Sequence, residues 1–187
     1  MSLLGHRADR QVTATLSGSQ PVEEALDPGQ VIGGVPFQLG ATVATYALGR
    51  ITRKPSLTHL GTDLARAHVV SQAITQGIKV AAARRRPDGT SLSFPSGHSA
   101  AAFASAAVLQ THFGWKAGVP AYGVAAYVAA SRLSENRHYL SDVIFGATVG
   151  IMSARAVTIG HGRARFALVP VATASGAGIA LTRVSVR

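Results

Sequence analysis

The chain has 187 residues and carries 18 Lys+Arg against 8 Asp+Glu, a net charge of +10. Only 14% of residues are charged and 47% are apolar, which excludes intrinsic disorder, because disorder needs low hydrophobicity and many charges. There is no cysteine, so a disulfide scaffold, thiolate metal sites and cysteine catalysis are excluded as well.

Residues 1–30 read as a polar arm with a turn at Asp27-Pro28-Gly29. Charges at Arg7, Asp9 and Arg10 fall where the apolar centre of a signal peptide would lie. Residues 28–49 contain no charge and are closed by Arg50, Arg53 and Lys54. This run meets the length of about 20 residues that a membrane helix needs. A second helix is predicted from near Asp63 to about Ala83. His68, Gln72, Gln76 and Lys79 share one face of it, and Val69, Val70, Ile74 and Ile78 share another. Two arrangements fit: a solvated polar face, or a polar face turned into a bundle with Lys79 aimed at an anion.

The stretch RRRPDGTSLSFPSG, residues 84–97, reads as a loop, since Arg86-Pro87 ends the helix before it. A third helix follows from Ser99 to about Phe113, and Gly114 breaks it. The fourth is predicted from about Val119 to Arg132. After the turn LSENR comes a fifth, from about His138 to Ile159. Residues 166–182 lack charge and are predicted as a sixth helix ending at Arg183. The expectation is an all-α chain, a compact bundle of about six helices crossing a bilayer, with the helical domain over 31–183. A soluble helical bundle is the alternative. Small residues throughout would let helices approach closely.

Excess positive charge suits either a nucleic-acid binder or a membrane protein with basic loops. Aromatics are only 6% and no recognition signature is present, so no nucleic-acid partner is expected. His6, His59, His68, His112 and His161 have no metal-ligand spacing, so neither a metal nor a cofactor is expected.

Three segments carry chemistry together: Lys79 through Arg86-Pro87, then Pro95-Ser96-Gly97-His98, then Ser131-Arg132 through His138 to Asp142. In an antiparallel bundle the end of helix two and the start of helix three share a side. So do the end of helix four and the start of helix five. All three segments then lie at one end.

The pattern K-x6-RP, PSGH, SR-x5-H-x3-D resembles the type 2 phosphatidic acid phosphatase family, whose site architecture is shared with vanadium-dependent haloperoxidases. The motifs span residues 79–142, and a compact bacterial-type member is the better match. The resemblance implies a phosphatase for a lipid-linked phosphate or diphosphate, with a phosphorylated lipid and the bilayer as partners. It implies His138 as nucleophile, Asp142 orienting its ring, and His98 as general acid and then base. Lys79, Arg86 and Arg132 would supply fixed positive charge, and Ser96 and Gly97 a helix-start phosphate cradle. The intermediate would be a phosphohistidine. Arg84, Arg85 and Arg137 receive no role in this reading and are expected as solvated charges. The alternatives are a soluble or peripheral phosphatase for a small phosphomonoester, a haloperoxidase, or a non-catalytic phospholipid-binding membrane protein. Basic residues lean toward the end opposite the motifs, which favours a bacterial cell membrane with the active site facing outside.

Overall fold

The first uncharged run does not form one helix. In the computed structural model, which describes residues 9, 15, 20–158, 165–173 and 176–184, it is broken at Gly34. The described residues form α1 (Gln20–Leu26), α2 (Pro28–Gly33), α3 (Val35–Ile51), α4 (Pro55–Ala82), α5 (Gly97–Phe113), α6 (Trp115–Ser134) and α7 (Leu140–Thr158). Gly34 is extended (φ −67°, ψ 145°), and Pro36 stands in the first turn of α3, where its missing N–H costs nothing within that helix. The stretch Gln20–Gly33 is bent by 51° from α3. Pro36 leaves the Ile32 carbonyl without its helical donor. The Gln38 side chain replaces that donor, Nε2 to Ile32 O at 2.8 Å.

The end of the polar arm is therefore helical rather than loose. Asp27 is the turn between α1 and α2, as expected, but both short helices pack on α6. Tyr127 Oη donates to Ala25 O at 2.6 Å. A Cβ on Gly29 would stand 2.7 Å from Ser131 Oγ, so α2 lies directly against α6. Before residue 20, only Asp9 and Thr15 of the arm belong to the described residues.

Residues 166–182 contradict the expected sixth helix. They lie in two antiparallel strands, β1 (Arg165–Thr173) and β2 (Gly176–Val184), in register from Arg165↔Val184 to Thr173↔Gly176. The absence of charge suggested a membrane helix, but Pro170 would interrupt one, and the Val, Ile and Thr residues of this segment favour extended backbone. A two-stranded sheet consists of edge strands only, where proline is tolerated.

The long helices are built inside out relative to a water-soluble bundle. On α4 the polar residues His68, Ser71, Thr75 and Lys79 are buried, whereas Val69 is 52% exposed and Val80 74%. This decides between the two arrangements open to that helix: its polar face turns inward, with only Gln76 of the four named residues exposed. A chain of hydrogen bonds links three helices there. Ser105 Oγ donates to Gln38 Oε1 at 2.7 Å, and His68 Nε2 meets the same hydroxyl at 3.1 Å. Because the serine has one proton to give, His68 is the donor in the second contact.

The apolar interior is made of small residues: Ala67, Ala104, Ala107 and Ala154 are buried in one cluster with Leu60, Leu64, Val108 and Val157. The closest contact joins α5 and α7. A Cβ on Gly146 would lie 2.4 Å from Ser96 O, and one on Gly150 2.2 Å from Ala100 O. Only glycine permits this approach, so the backbones of the two helices touch. Among the described residues, α7 alone is long and apolar enough to cross a bilayer by itself. The bent stretch from α1 to α3 reaches that mark as a pair.

Gly150→Ala is expected to destabilise the fold by about 1–3 kcal/mol through overpacking. Gly123→Ala, where the added Cβ meets nothing within 4 Å, is expected to be neutral or to stabilise by up to about 1 kcal/mol through helix propensity. Equilibrium unfolding of the purified protein in detergent measures both. Equal effects would contradict the backbone contact.

Candidate active site

Two loops build the site at one end of the bundle. The first leaves α4 through Ala83 in the left-handed region (φ 44°), whose N–H still bonds Lys79 O at 3.0 Å. It folds on itself through Arg86 N to Thr90 O at 2.8 Å and Ser93 N to Arg84 O at 2.8 Å. The second, between α6 and α7, turns through Asn136 (φ 55°), a residue type that tolerates this conformation. That turn lets Arg137 N and His138 N both donate to Arg132 O, at 3.1 and 3.2 Å. The loops are joined by Asp88 N to Asn136 O at 3.2 Å and by Arg137 Nη1 to Asp88 Oδ2 at 3.1 Å. Arg137 is thus solvated as expected, its side chain 43% exposed, and also links the two loops.

Each residue proposed from the motifs is found at this end. Lys79 is buried, with Nζ donating to Leu92 O at 2.7 Å. Ser96 caps α5: its hydroxyl accepts from Ser99 N at 3.3 Å and from Ser99 Oγ at 3.0 Å. Its N–H is already given to Asp142 O at 3.0 Å. The expected cradle over Ser96 and Gly97 therefore lacks the Ser96 N–H, and the free groups are the N–H of Gly97 and of His98, which lie in the first turn and have no helical acceptor. Gln72 Nε2 holds Gly97 O at 3.1 Å. Arg132 is buried, and its Nη1 pairs with Glu135 Oε1 at 2.9 Å.

His138 does not stand on a helix, as its spacing to Asp142 suggested. It lies two residues before α7, whose first turn holds Asp142. Asp142 is fully buried. Its Oδ2 accepts from Ser93 Oγ and from Tyr139 N at 2.9 Å, and faces His138 Nδ1 at 3.6 Å. Its Oδ1 accepts from Arg84 Nη1 at 2.6 Å. Arg84 was expected as a solvated charge. It is instead an ion-pair partner inside the site, with its guanidinium 4.2 Å from the Tyr139 ring centroid. A run of three arginines in the sequence carries no signal to tell this one from its neighbours.

The charged groups converge. Lys79, Arg86, Arg132 and the His138 ring all act electrostatically on His98. Burial first, then the charges of Lys79 and Arg86, hold the His138 imidazole below its ordinary range, and Asp142 offsets this only in part. His138 is therefore neutral near pH 7, the state a nucleophile requires. Three buried polar atoms here make no hydrogen bond within the protein: Arg86 Nε, Arg132 Nε and His138 Nδ1. Buried donors are rarely left so. Guanidinium nitrogens left without a protein acceptor are of the kind that bind an oxyanion. Among the described residues no three His, Asp or Glu side chains group to hold a metal ion.

A sequence model of the PAP2 superfamily matches residues 60–166, more than half of the chain. The chain belongs to the PAP2 superfamily.

Among curated PAP2 relatives, the chain is 47% identical over 73 residues to a lipid A 1-phosphatase of Porphyromonas gingivalis, a match covering 37% of this chain and 16% of that protein. It is 27% identical over 143 residues to a lipid A 4'-phosphatase of Helicobacter pylori, covering 70% of each. It is 30% identical over 145 residues to a putative phosphatidate phosphatase of Drosophila melanogaster, covering 67% of this chain and 38% of that one. The chain thus spans well under half of two of these relatives. In fold it is similar to a transmembrane PAP2-type phosphatidylglycerolphosphate phosphatase from Bacillus subtilis, with a TM-score of 0.71, 21% identity and coverage of 82% of this chain and 84% of that one. It is also similar to Aquifex aeolicus LpxE, with a TM-score of 0.67, 18% identity and coverage of 78% and 92%. The helical bundle is therefore the PAP2 fold, and the C-terminal hairpin is the element that departs from an all-helical expectation.

With His138 as the expected nucleophile, activity falls as pH drops through that residue's pKa. A lowered pKa moves this loss to more acidic pH. The acidic limb of kcat/KM is expected below pH 6.5, the ordinary imidazole value. A limb above 6.5 that disappears in no other histidine variant would contradict it.

Proposed function

We propose that this PAP2 protein is a metal-independent phosphatase that hydrolyses a lipid-linked phosphate or diphosphate through a phosphohistidine. The observation that carries the reading is the pair of buried guanidinium nitrogens without a hydrogen-bond partner, Arg86 Nε and Arg132 Nε, with Lys79, His98 and the Asp142-facing His138 in the same charged cluster.

With Nδ1 facing Asp142, His138 Nε2 is the nitrogen left to attack phosphorus. The N–P bond forms as the P–O bond to the leaving group breaks, and His98 gives its proton to the departing oxygen. Among three cations, His98 carries that proton because the bound phosphate supplies the balancing negative charge. His98, now neutral, takes a proton from water. The water oxygen attacks phosphorus, the N–P bond breaks, and inorganic phosphate leaves. Lys79, Arg86 and Arg132 stabilise charge on the equatorial oxygens throughout, the work a metal ion does elsewhere. Asp142 supports the positive charge on His138 in the phosphorylated state.

Two features favour a lipid over a small phosphomonoester. A largely apolar cavity of about 290 Å³ lies among α2, α3, α4, α5 and α6, lined in part by Ile32, Phe37, Leu60, Leu64, Leu109 and Val124. It begins near the site, since Gly33, one residue from Ile32, packs so close that its Cβ would meet the His98 ring at 3.3 Å. The outer surface is apolar over several helices, with Ile51 80% exposed, and Val43, Val119 and Met152 about two-thirds so. Such a surface suits hydrocarbon and not water. The relatives' names, lipid A phosphatases and a phosphatidate phosphatase, point the same way. We place the chain as an integral protein of a bacterial cell membrane, its active end outside, because Arg50, Arg53, Lys54, Lys116 and Arg155 lie toward the opposite end.

His138→Ala is expected to lower kcat on phosphatidic acid or a prenyl diphosphate by on the order of a thousandfold or more, as loss of a covalent nucleophile does. Activity is expected to persist in EDTA and to be inhibited by vanadate, which mimics the trigonal-bipyramidal transition state. Activity lost in EDTA and restored by magnesium would overturn the mechanism. For orientation, a cysteine at Gly89 is expected to react with a membrane-impermeant thiol reagent in intact cells. Labelling only after lysis would reverse the topology.

A further inference from the structure

We propose that Asp9, from the segment preceding the bundle, is a positioning residue of the active site that acts through Arg84 on Asp142 and so on His138. The proposal rests on His138 being the nucleophile.

Asp9 is 5% exposed, although it comes from a stretch that the sequence presents as a polar arm. Its Oδ1 accepts from Ser141 N at 2.9 Å. Its Oδ2 accepts from Ser141 Oγ at 2.8 Å and from Arg84 Nη2 at 3.0 Å. Arg84 turns its other nitrogen, Nη1, to Asp142 Oδ1 at 2.6 Å and to Ser141 Oγ at 2.8 Å. One planar guanidinium therefore bridges two carboxylates, and one of them is the partner of His138. Ser93 Oγ and Tyr139 N fix the other oxygen of Asp142. The carboxylate cannot rotate toward or away from His138 Nδ1 without breaking a bond to Arg84.

The charges define what each residue contributes. Arg84 is one counter-ion of buried Asp142, whose ionised state is held first by His138, Ser93 Oγ and Tyr139 N and persists without it. Its positive charge also weakens the field that Asp142 exerts on His138. Asp9 takes half of the guanidinium fork and returns part of that field. Removing Arg84 therefore strengthens the hold of Asp142 on a proton at His138, whereas removing the charge of Asp9 weakens it. The two substitutions act in opposite directions. A tether that merely held the N-terminal segment in place would not do this. The other groups around His138 are unchanged in both variants: Lys79 from α4, Arg86 from the first loop, His98 from α5, Arg132 from α6 and Asp142 from α7.

The test uses the full chain in detergent with a short-chain phosphatidic acid as probe, so that substrate ionisation is common to all variants. The readouts are kcat, KM and the acidic limb of kcat/KM. Arg84→Gln is expected to lower kcat by about 10–100-fold, the usual scale for losing the outer support of a catalytic group. Its KM should stay within about twofold, because the change does not touch the phosphate, and its limb should move to higher pH. Asp9→Asn is expected to lower kcat less and to move the limb to lower pH. The double variant should keep the limb of Arg84→Gln, since Asp9 acts only through Arg84. Arg84→Lys keeps the charge without the fork and should restore the limb but not full kcat. Should Arg84→Gln fail to fold, Asp9→Asn by itself still tests the proposal, because its limb must move to lower pH while the direct Arg84–Asp9 pair of the parent protein is lost. Limbs that do not move, or that move together in Asp9→Asn and Arg84→Gln, overturn the proposal. An active His138→Ala variant overturns the nucleophile assignment instead.

Discussion

A buried carboxylate with no exposure to water organises this end of the molecule. Asp142 must be paired on both oxygens, since an isolated buried charge is costly and a half-satisfied one scarcely less so. Four donors or facing groups answer that need: Arg84 and Ser93 from the first loop, and Tyr139 and His138 from the second. The Asp142 main-chain carbonyl holds Ser96 N as well, which places the start of α5. One residue thereby draws together both loops and two helices. The convergence of Lys79, His98, Arg132 and His138 follows from satisfying it.

The same demand recurs away from the site. The break at Gly34-Val35-Pro36 frees a carbonyl, and Gln38 answers it. Gln38 is then tied through Ser105 to His68. Gln38, Ser105 and His68, one from each of α3, α5 and α4, thus satisfy one another while Val43, Val69 and Ile74 face outward. In lipid the bundle gains little by hiding leucine, and association relies on close packing and interhelical hydrogen bonds. The alanine-rich interior and the glycine contacts of α7 fit that regime.

Much of this was legible in the sequence, and what was not has physical reasons. Helix positions, the shared end of the three motifs and the residues named in them could be read because charge-free runs, breakers and motif spacing are local signals. Which way the face bearing His68, Gln72 and Lys79 turns could not be read, since periodicity marks a face without saying what medium it meets. The segment 166–182 was misread because lack of charge is shared by membrane helices and apolar strands, and Pro170 with its β-branched neighbours was given too little weight. The helix assigned to His138 began two residues too early because the Asn136 turn is invisible to spacing. Arg84 and Asp9, 75 residues apart in the chain, meet only in three dimensions. No one-dimensional pattern marks such a pair.

The contact of Gly146 with Ser96 O and of Gly150 with Ala100 O also bears on how such a protein can diversify. The distance between the helix whose first turn holds His98 and the one that follows His138 is set by main-chain atoms, which have no rotamers to change. Residues lining the apolar cavity, such as Phe37, Leu109 and Val124, are free of that seam. On the proposed function, selection can therefore reshape the space for a hydrocarbon tail by exchanging side chains while the spacing of the two histidines is inherited unaltered. Catalytic geometry and substrate choice would then reside in separate parts of one small bundle, so a new specificity need not be a new enzyme.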